Sequence, residues 1–251
     1  MTEVPALPHD PGPFDIGTGD IGVLCLHGLT GRPYEIRPVA EALARAGMRA
    51  LGPALVGHEG DPEALTRIAF GEWLDGVREA YQGLCREHER VRVVGLSLGG
   101  LLSLALAAEE PVDALAVIGT PMALRFPIPQ LVPVLRRAFR YVPKRGSNIA
   151  DPHARARHPG YDVMPLQAVH ELTRLQAHVR SGLARIEAPI LIAHGALDTT
   201  ANPQDVHIIE SEISSKRREV LLLERSAHIV SVDHDGPALA EAVSEFFSTL
   251  V

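Results

Sequence analysis

Between Val91 and Ala108 the chain runs from a short apolar stretch, Val91-Arg92-Val93-Val94, through Gly95-Leu96-Ser97-Leu98-Gly99 into a longer apolar stretch, Gly100–Ala108. A G-x-S-x-G between a strand and a helix is the nucleophile-elbow pattern. The backbone must reverse so tightly there that only small residues fit beside the serine. The turn lifts the Ser97 hydroxyl clear of the main chain, where a base and a carbonyl carbon can both reach it. The pentapeptide alone arises by chance in roughly a tenth of chains this rich in glycine, so its context must carry the argument.

That context is an alternation of short apolar runs with helical patterns. Strands are predicted at Ile21–Leu26, Arg49–Pro53, Val91–Val94, Val112–Ile118, Ile190–Ala193 and Glu219–Leu223. Helices are predicted over Glu35–Ala46 (stopped by Gly47), Phe70–His88, Gly100–Ala108 and Gly236–Leu250. Trp73, Val77, Ala80, Tyr81 and Leu84 share one face of the second of these, and Leu239, Val243, Phe246 and Phe247 one face of the last. Continuous rather than alternating apolar runs predict strands buried on both faces, hence a mostly parallel sheet covered by helices in one α/β domain over 1–251. Met122–Arg185 breaks the rhythm. It is rich in proline and arginine, with helical patterns but no clear strand, and is expected to form a cap over the sheet's C-terminal edge, where ligands bind in open α/β sheets.

Charge narrows the partners. Twenty-four basic against 31 acidic residues leave a net −7, which argues against a nucleic-acid binder. The one basic cluster, Arg136-Arg137 to Arg145, is expected to be a solvated face. The two cysteines, Cys25 in an apolar run and Cys85 in a polar helix, suggest neither a disulfide framework nor a metal site. Met1–Gly12 lacks the features of a signal peptide, and no apolar run is long enough to span a membrane. A cytoplasmic protein without stable membrane insertion is expected; the sequence leaves its oligomeric state open.

A serine hydroxyl becomes a useful nucleophile when a histidine removes its proton and a carboxylate orients that histidine. On a sheet with this elbow the chain order is serine, acid, histidine. Asp198 lies just past the run Ile190–Ala193 and suits the acid; His228 lies just past the run ending at Leu223 and suits the base. His194, His207 and His234 are expected in surface or capping roles, and Asp233 and Asp235 as caps of the last helix. The oxyanion formed in acyl transfer needs donors: the N–H of Leu98, after the nucleophile, and the N–H of Leu29, in the loop His27-Gly28-Leu29-Thr30-Gly31. Gly28 and Gly31 are expected to let that loop bend, and His27 to be a structural hydrogen-bonding residue beneath it.

With these pieces together the chain resembles the α/β-hydrolase superfamily, and within it the small bacterial carboxylesterases and monoacylglycerol lipases. The resemblance rests on His27–Gly31, Gly57-His58, Gly95–Gly100, Pro121, Ala188-Pro189, Asp198 with Asn202-Pro203, and Ser226-Ala227-His228 followed by Asp233. It implies hydrolysis of a small-molecule carboxylic ester through an acyl-enzyme on Ser97, with neither metal nor cofactor, and a small helical cap over about 122–180. The same triad also serves thioesterases, acyltransferases and lactonases. A hydrolase-fold binding module that turns nothing over is the alternative of a different kind.

Overall fold

The computed structural model describes residues 10–125, 127–144 and 146–250. Residues 1–9, Phe126, Arg145 and Val251 lie outside the described residues, and with them most of the segment weighed as a signal peptide and one end of the basic cluster. In chain order the strands are β1 (Phe14–Ile16), β2 (Ile21–Leu26), β3 (Arg49–Gly52), β4 (Arg90–Leu96), β5 (Ala114–Ile118), β6 (Tyr141–Pro143), β7 (Val163–Pro165), β8 (Ile190–Gly195) and β9 (Arg218–Leu223). The helices are α1 (Arg37–Arg45), α2 (Phe70–Cys85), α3 (Leu98–Ala107), α4 (Ile128–Leu135), α5 (Pro152–Arg157), α6 (Leu166–Gly182), α7 (Asp205–Glu212) and α8 (Gly236–Ser248).

Seven strands form one sheet in the order β1-β3-β2-β4-β5-β8-β9. All neighbours pair in parallel except β1, which runs antiparallel to β3 at the edge. Side chains alternate across the pleat, and the two faces feed two cores. Leu24, Leu26, Val91 and Val93 pack with α2, α3, α6 and α7. Val23, Cys25, Val94 and Leu96 pack with α1 and α8. This is the α/β-hydrolase architecture, and each predicted strand and helix of the alternating pattern is present within a few residues. Helix α3 is apolar on every side because the sheet, α2 and α6 enclose it.

Three features depart from the sequence expectations. Strand β1 is three residues long, too short to show a period. The cap region holds a two-stranded ribbon, in which Tyr141 pairs with Pro165 and Pro143 with Val163; a proline in each short strand hid it. Strand β9 is not buried on both faces: it is the sheet edge, and Val220 and Leu222 are 36% and 44% exposed.

Helix α6 falls in the sequence range expected for the cap, yet its Ala168, Leu172, Leu175 and Val179 belong to the main core. The rest of that range, residues 122–165, comprises α4, the β6–β7 ribbon and α5. Met122 opens that segment with its N–H on Asp205 Oδ2 (2.8 Å), and Gln176 of α6 donates to the Pro121 carbonyl (2.8 Å). Among the described residues no helix is long and apolar enough to cross a membrane.

Candidate active site

Ser97 sits between β4 and α3 with φ 55° and ψ −111°, one of two described non-glycine residues with positive φ. Such a backbone costs a non-glycine residue on the order of 1–3 kcal/mol and persists only where the surroundings impose it. The surroundings here are glycines. A Cβ on Gly95 would collide with the Gly99 carbonyl, one on Gly99 with the Leu26 carbonyl, and one on Gly100 with Thr120 Oγ1. The Ser97 N–H is tied to the Ile118 carbonyl at 2.8 Å.

His228 Nε2 lies 2.9 Å from Ser97 Oγ, and His228 Nδ1 lies 2.7 Å from Asp198 Oδ2. The structure thus brings together three residues that are 101 and 30 positions apart in sequence, each following a strand end. Asp198 Oδ1 accepts the N–H groups of Thr200 (2.7 Å) and Ala201 (2.9 Å). Burial pushes its carboxyl up, but the hydrogen bonds from His194 and His228 and the backbone N–H of Ala201 outweigh this and hold it well below the usual carboxylate range.

His194 is therefore no surface or capping residue. It is 1% exposed, and its Nε2 shares Asp198 Oδ2 with His228 at 2.9 Å. His207 and His234 are exposed, as expected. The helix-cap assignment also fails for Asp233 and Asp235, because neither carboxylate bonds an N–H in the first turn of α8. Asp233 accepts from the N–H groups of Ala150, Asp151, Ala227 and His234, and Asp235 from Ser226 Oγ and Arg225. Both fix the loop that carries His228.

The loop after β2 is held just as closely. His27 Nδ1 donates to the Gly28 carbonyl (2.9 Å) and Nε2 accepts the Leu55 N–H (3.0 Å), the structural role expected of it. His58 Nε2 accepts the Thr30 N–H at 3.2 Å. Burial lowers the pKa of both imidazoles, that of His58 to about 3, so both stay neutral and can accept. The glycines serve a purpose other than flexibility. It is Thr30, not a glycine, that adopts positive φ (59°). A Cβ on Gly31 would instead overlap the buried carboxylate of Glu35. Among the described residues the N–H groups of Leu29 and Leu98 have no hydrogen-bond acceptor. Leu98 is the first residue of α3, where a helix leaves its N–H unbonded and its dipole positive.

These groups line a cavity of about 550 Å³ that contains Ser97, His228 and Leu29. Its walls beyond the serine are mostly apolar, with Leu124, Ile128, Leu131, Val132 and Leu135 from the cap and Leu172 from α6; Arg125, Lys144 and Asn148 also line it. A larger, shallower depression of about 900 Å³ between α1 and α8 holds none of the three.

The family model described as "Serine aminopeptidase, S33" matches residues 20–235. The chain belongs to that family. It is 34% identical over 239 residues to the thermostable monoacylglycerol lipase of a Bacillus species, covering 94% of each chain. It is 27% identical over 241 residues to a carboxylesterase of Bacillus subtilis, covering 96% of this chain and 97% of the relative. A solved structure from work on LipS and LipT, two metagenome-derived lipolytic enzymes, superposes with a TM-score of 0.90 at 28% identity, covering 95% of this chain and 97% of that one. Family, full-length relatives and fold all belong to the α/β-hydrolases, as the motifs implied. The family's description names a peptidase, whereas the two relatives bear the names of ester hydrolases.

Several residues of the site were invisible in the sequence. Asn148, from the cap, accepts the N–H groups of His228 (3.0 Å) and Thr199 (3.3 Å) on one oxygen and donates to Thr199 Oγ1 at 2.6 Å. His194, Glu35 and His158 complete the support. No motif announced Asn148 or the Glu35–His158 pair, because they work across 80 and 123 positions of sequence. Only the Asp198–His194 spacing of four carried a local signal.

Proposed function

We propose that this family member hydrolyses carboxylic esters, with monoacylglycerols and other esters of medium-chain acids as its substrate class. The observation that carries the proposal is the Ser97–His228–Asp198 chain of hydrogen bonds at the floor of an apolar cavity. An aminopeptidase needs an anionic group free to bind the substrate's ammonium. The one carboxylate among the described cavity residues, Glu35, is already bonded to His158 and the Gly28 N–H, so the cavity favours an ester with a hydrocarbon acyl chain.

In this mechanism Ser97 Oγ attacks the ester carbonyl while His228 Nε2 takes its proton. Asp198 fixes the imidazole tautomer and stabilises the imidazolium. The N–H groups of Leu29 and Leu98 receive the oxyanion, as donors aimed where charge develops. The C–O bond to the alcohol then breaks, and His228 gives the alcohol its proton. Water, deprotonated by the same histidine, attacks the acyl-enzyme and frees the acid and Ser97. No step calls for a metal or cofactor. The two free cysteines, Cys25 and Cys85, fit a cytoplasmic setting.

The test is turnover of p-nitrophenyl esters of increasing chain length by the wild type and by Ser97→Ala. Wild type should prefer medium chains, and the variant should lose at least about 10⁴-fold in kcat. Retained turnover in Ser97→Ala overturns the assignment. Absence of turnover on every chain length in wild type would make the chain a binding module instead.

A further inference from the structure

Glu35 is a buried carboxylate that the mechanism above does not use. It is 3% exposed, and it bridges two parts of the molecule that are far apart in sequence. On one side Oε2 accepts the Gly28 N–H at 3.0 Å. On the other, Oε1 is bonded by His158 Nε2 at 2.8 Å. His158 belongs to the cap, where its Nδ1 receives the Gly160 N–H (3.1 Å) and lies 2.6 Å from Ser147 Oγ. Burial raises the Glu35 carboxyl, but the hydrogen bond and charge of His158 and the neighbouring groups overcome it and hold the pKa at about 2, so the group stays ionised.

The position of Gly28 gives the contact its meaning. The peptide unit between Gly28 and Leu29 is planar and trans, so its carbonyl and its N–H point in opposite directions. The carbonyl is fixed by His27 Nδ1 at 2.9 Å and by the Gly31 N–H at 3.1 Å. Glu35 fixes the N–H on the preceding side of the same residue. With both flanks of Gly28 held, the direction of the Leu29 N–H is fixed too, and Leu29 lines the cavity. Two further cap residues grip the next position: Lys144 Nζ donates to Thr30 Oγ1 (2.9 Å), and the Tyr161 N–H donates to the Thr30 carbonyl (3.1 Å). Gly31 leaves the space that the Glu35 carboxylate occupies, so the loop and the acid are built for one another.

We infer that Glu35 is a positioning residue that, through His158, makes a docked cap the condition for an aligned oxyanion donor at Leu29. The inference rests on the proposed role of Leu29 in ester hydrolysis. Cap and oxyanion loop then act as one unit: a cap that lifts off withdraws His158, Lys144 and Tyr161 together and frees the loop to rotate its peptide away.

The test measures, per active site counted by titration, kcat, KM and the inhibition constant of an alkylboronic acid, whose tetrahedral adduct on Ser97 places an oxygen where the oxyanion forms. Glu35→Ala should lower kcat about 30- to 100-fold, within reach of the loss from removing an oxyanion donor outright, with KM changed less than about threefold. The boronate constant should rise by the same factor as kcat falls. Glu35→Gln keeps an acceptor for the Gly28 N–H and should recover kcat to within about fivefold of wild type. His158→Ala, a change in the cap, should cost about five- to tenfold and add little in a double variant with Glu35→Ala. A merely structural role would lower the melting temperature and the number of active sites, and leave kcat per site and the boronate constant unchanged; that result overturns the inference. If Glu35→Ala does not fold, Glu35→Gln and His158→Ala decide, and unchanged kcat and boronate affinity in His158→Ala overturn it. Turnover surviving in Ser97→Ala would sink the ester-hydrolase reading itself, a separate failure that the same assay reveals.

Discussion

The two halves of the segment 122–165 differ in almost every physical respect. The inner half, residues 144–161, is stapled by polar contacts to the loops that carry Leu29, Asp198 and His228: Asn148 to the His228 and Thr199 backbones, Asp233 to Ala150 and Asp151, His158 to Glu35. The outer half, centred on α4, packs Val132 against Leu166 and Val169, and its polar contacts, Arg136 to Gln167 and Arg140 and Tyr141 to Glu63, fall away from the loops of Asp198 and His228. Its Leu131, Val134 and Phe139 are 48%, 65% and 59% exposed. Pro133 inside α4 removes an intrahelical hydrogen bond and weakens the helix further. On the proposed function, one half of the cap supports the reacting residues and the other walls the acyl chain.

The largest expected effect is on acid stability: His27, His58, Glu35 and Asp198 lie at or beneath the inner half, whereas half-buried His170, beside Arg136, is the lowered imidazole next to the outer half. His58 has a pKa lowered from 6.5 to about 3, and His27 is lowered in the same direction. Between pH 6.5 and 3 the unfolded chain binds protons that the folded chain refuses, so stability falls as pH falls through that range. Glu35, lowered from 4.5 to about 2, stabilises the fold fully above pH 4.5, and its share is lost as pH falls toward 2; Asp198 acts in the same sense. Thermal melts should show a level melting temperature above about pH 7 and a loss at pH 4 on the order of a few kcal/mol. A melting temperature level down to pH 4 would break this half of the contrast.

Next in size is Asn148→Ala. It leaves the His228 and Thr199 N–H groups without their acceptor, and should lower kcat about 30-fold on every chain length, with KM nearly constant. A loss confined to long chains would assign Asn148 to the wall rather than to the chemistry. The smallest effect is expected from Leu131→Trp in the outer half. The larger side chain shortens the channel, so kcat/KM for a long-chain ester should drop about tenfold while that for a butyrate ester stays within about twofold. A uniform loss would show that α4, too, belongs to the catalytic geometry.

The same contrast explains what could be read from the sequence. Ser97, Asp198 and His228 were legible because each follows a strand end, and strand ends are marked by apolar runs and glycines. Helix α3 was legible as an apolar stretch of helical length, but its enclosure by the sheet and two helices appears only in the assembled fold. His194 was misassigned because burial depends on neighbours from β9 and α7 that one strand's sequence does not reveal. The Glu35–His158 pair spans 123 residues, and only the assembled cap brings the two together. Strands β6 and β7 are too short, and too rich in proline, to carry a period of two.

Arg92 makes the centre of the sheet depend on residues that are synthesised much later. Its guanidinium is wholly buried in β4, yet two of its three acceptors are the carbonyls of Phe247 and Leu250, at the far end of the chain; the third is Asp113. A buried charge stripped of its acceptors costs several kcal/mol, on the order of the stability of a whole domain. While the chain emerges from a ribosome, β4 and its elbow are made long before those carbonyls exist. Until residues 247–250 have been made, Asp113 alone answers that charge, and a chain lacking them leaves the guanidinium two acceptors short.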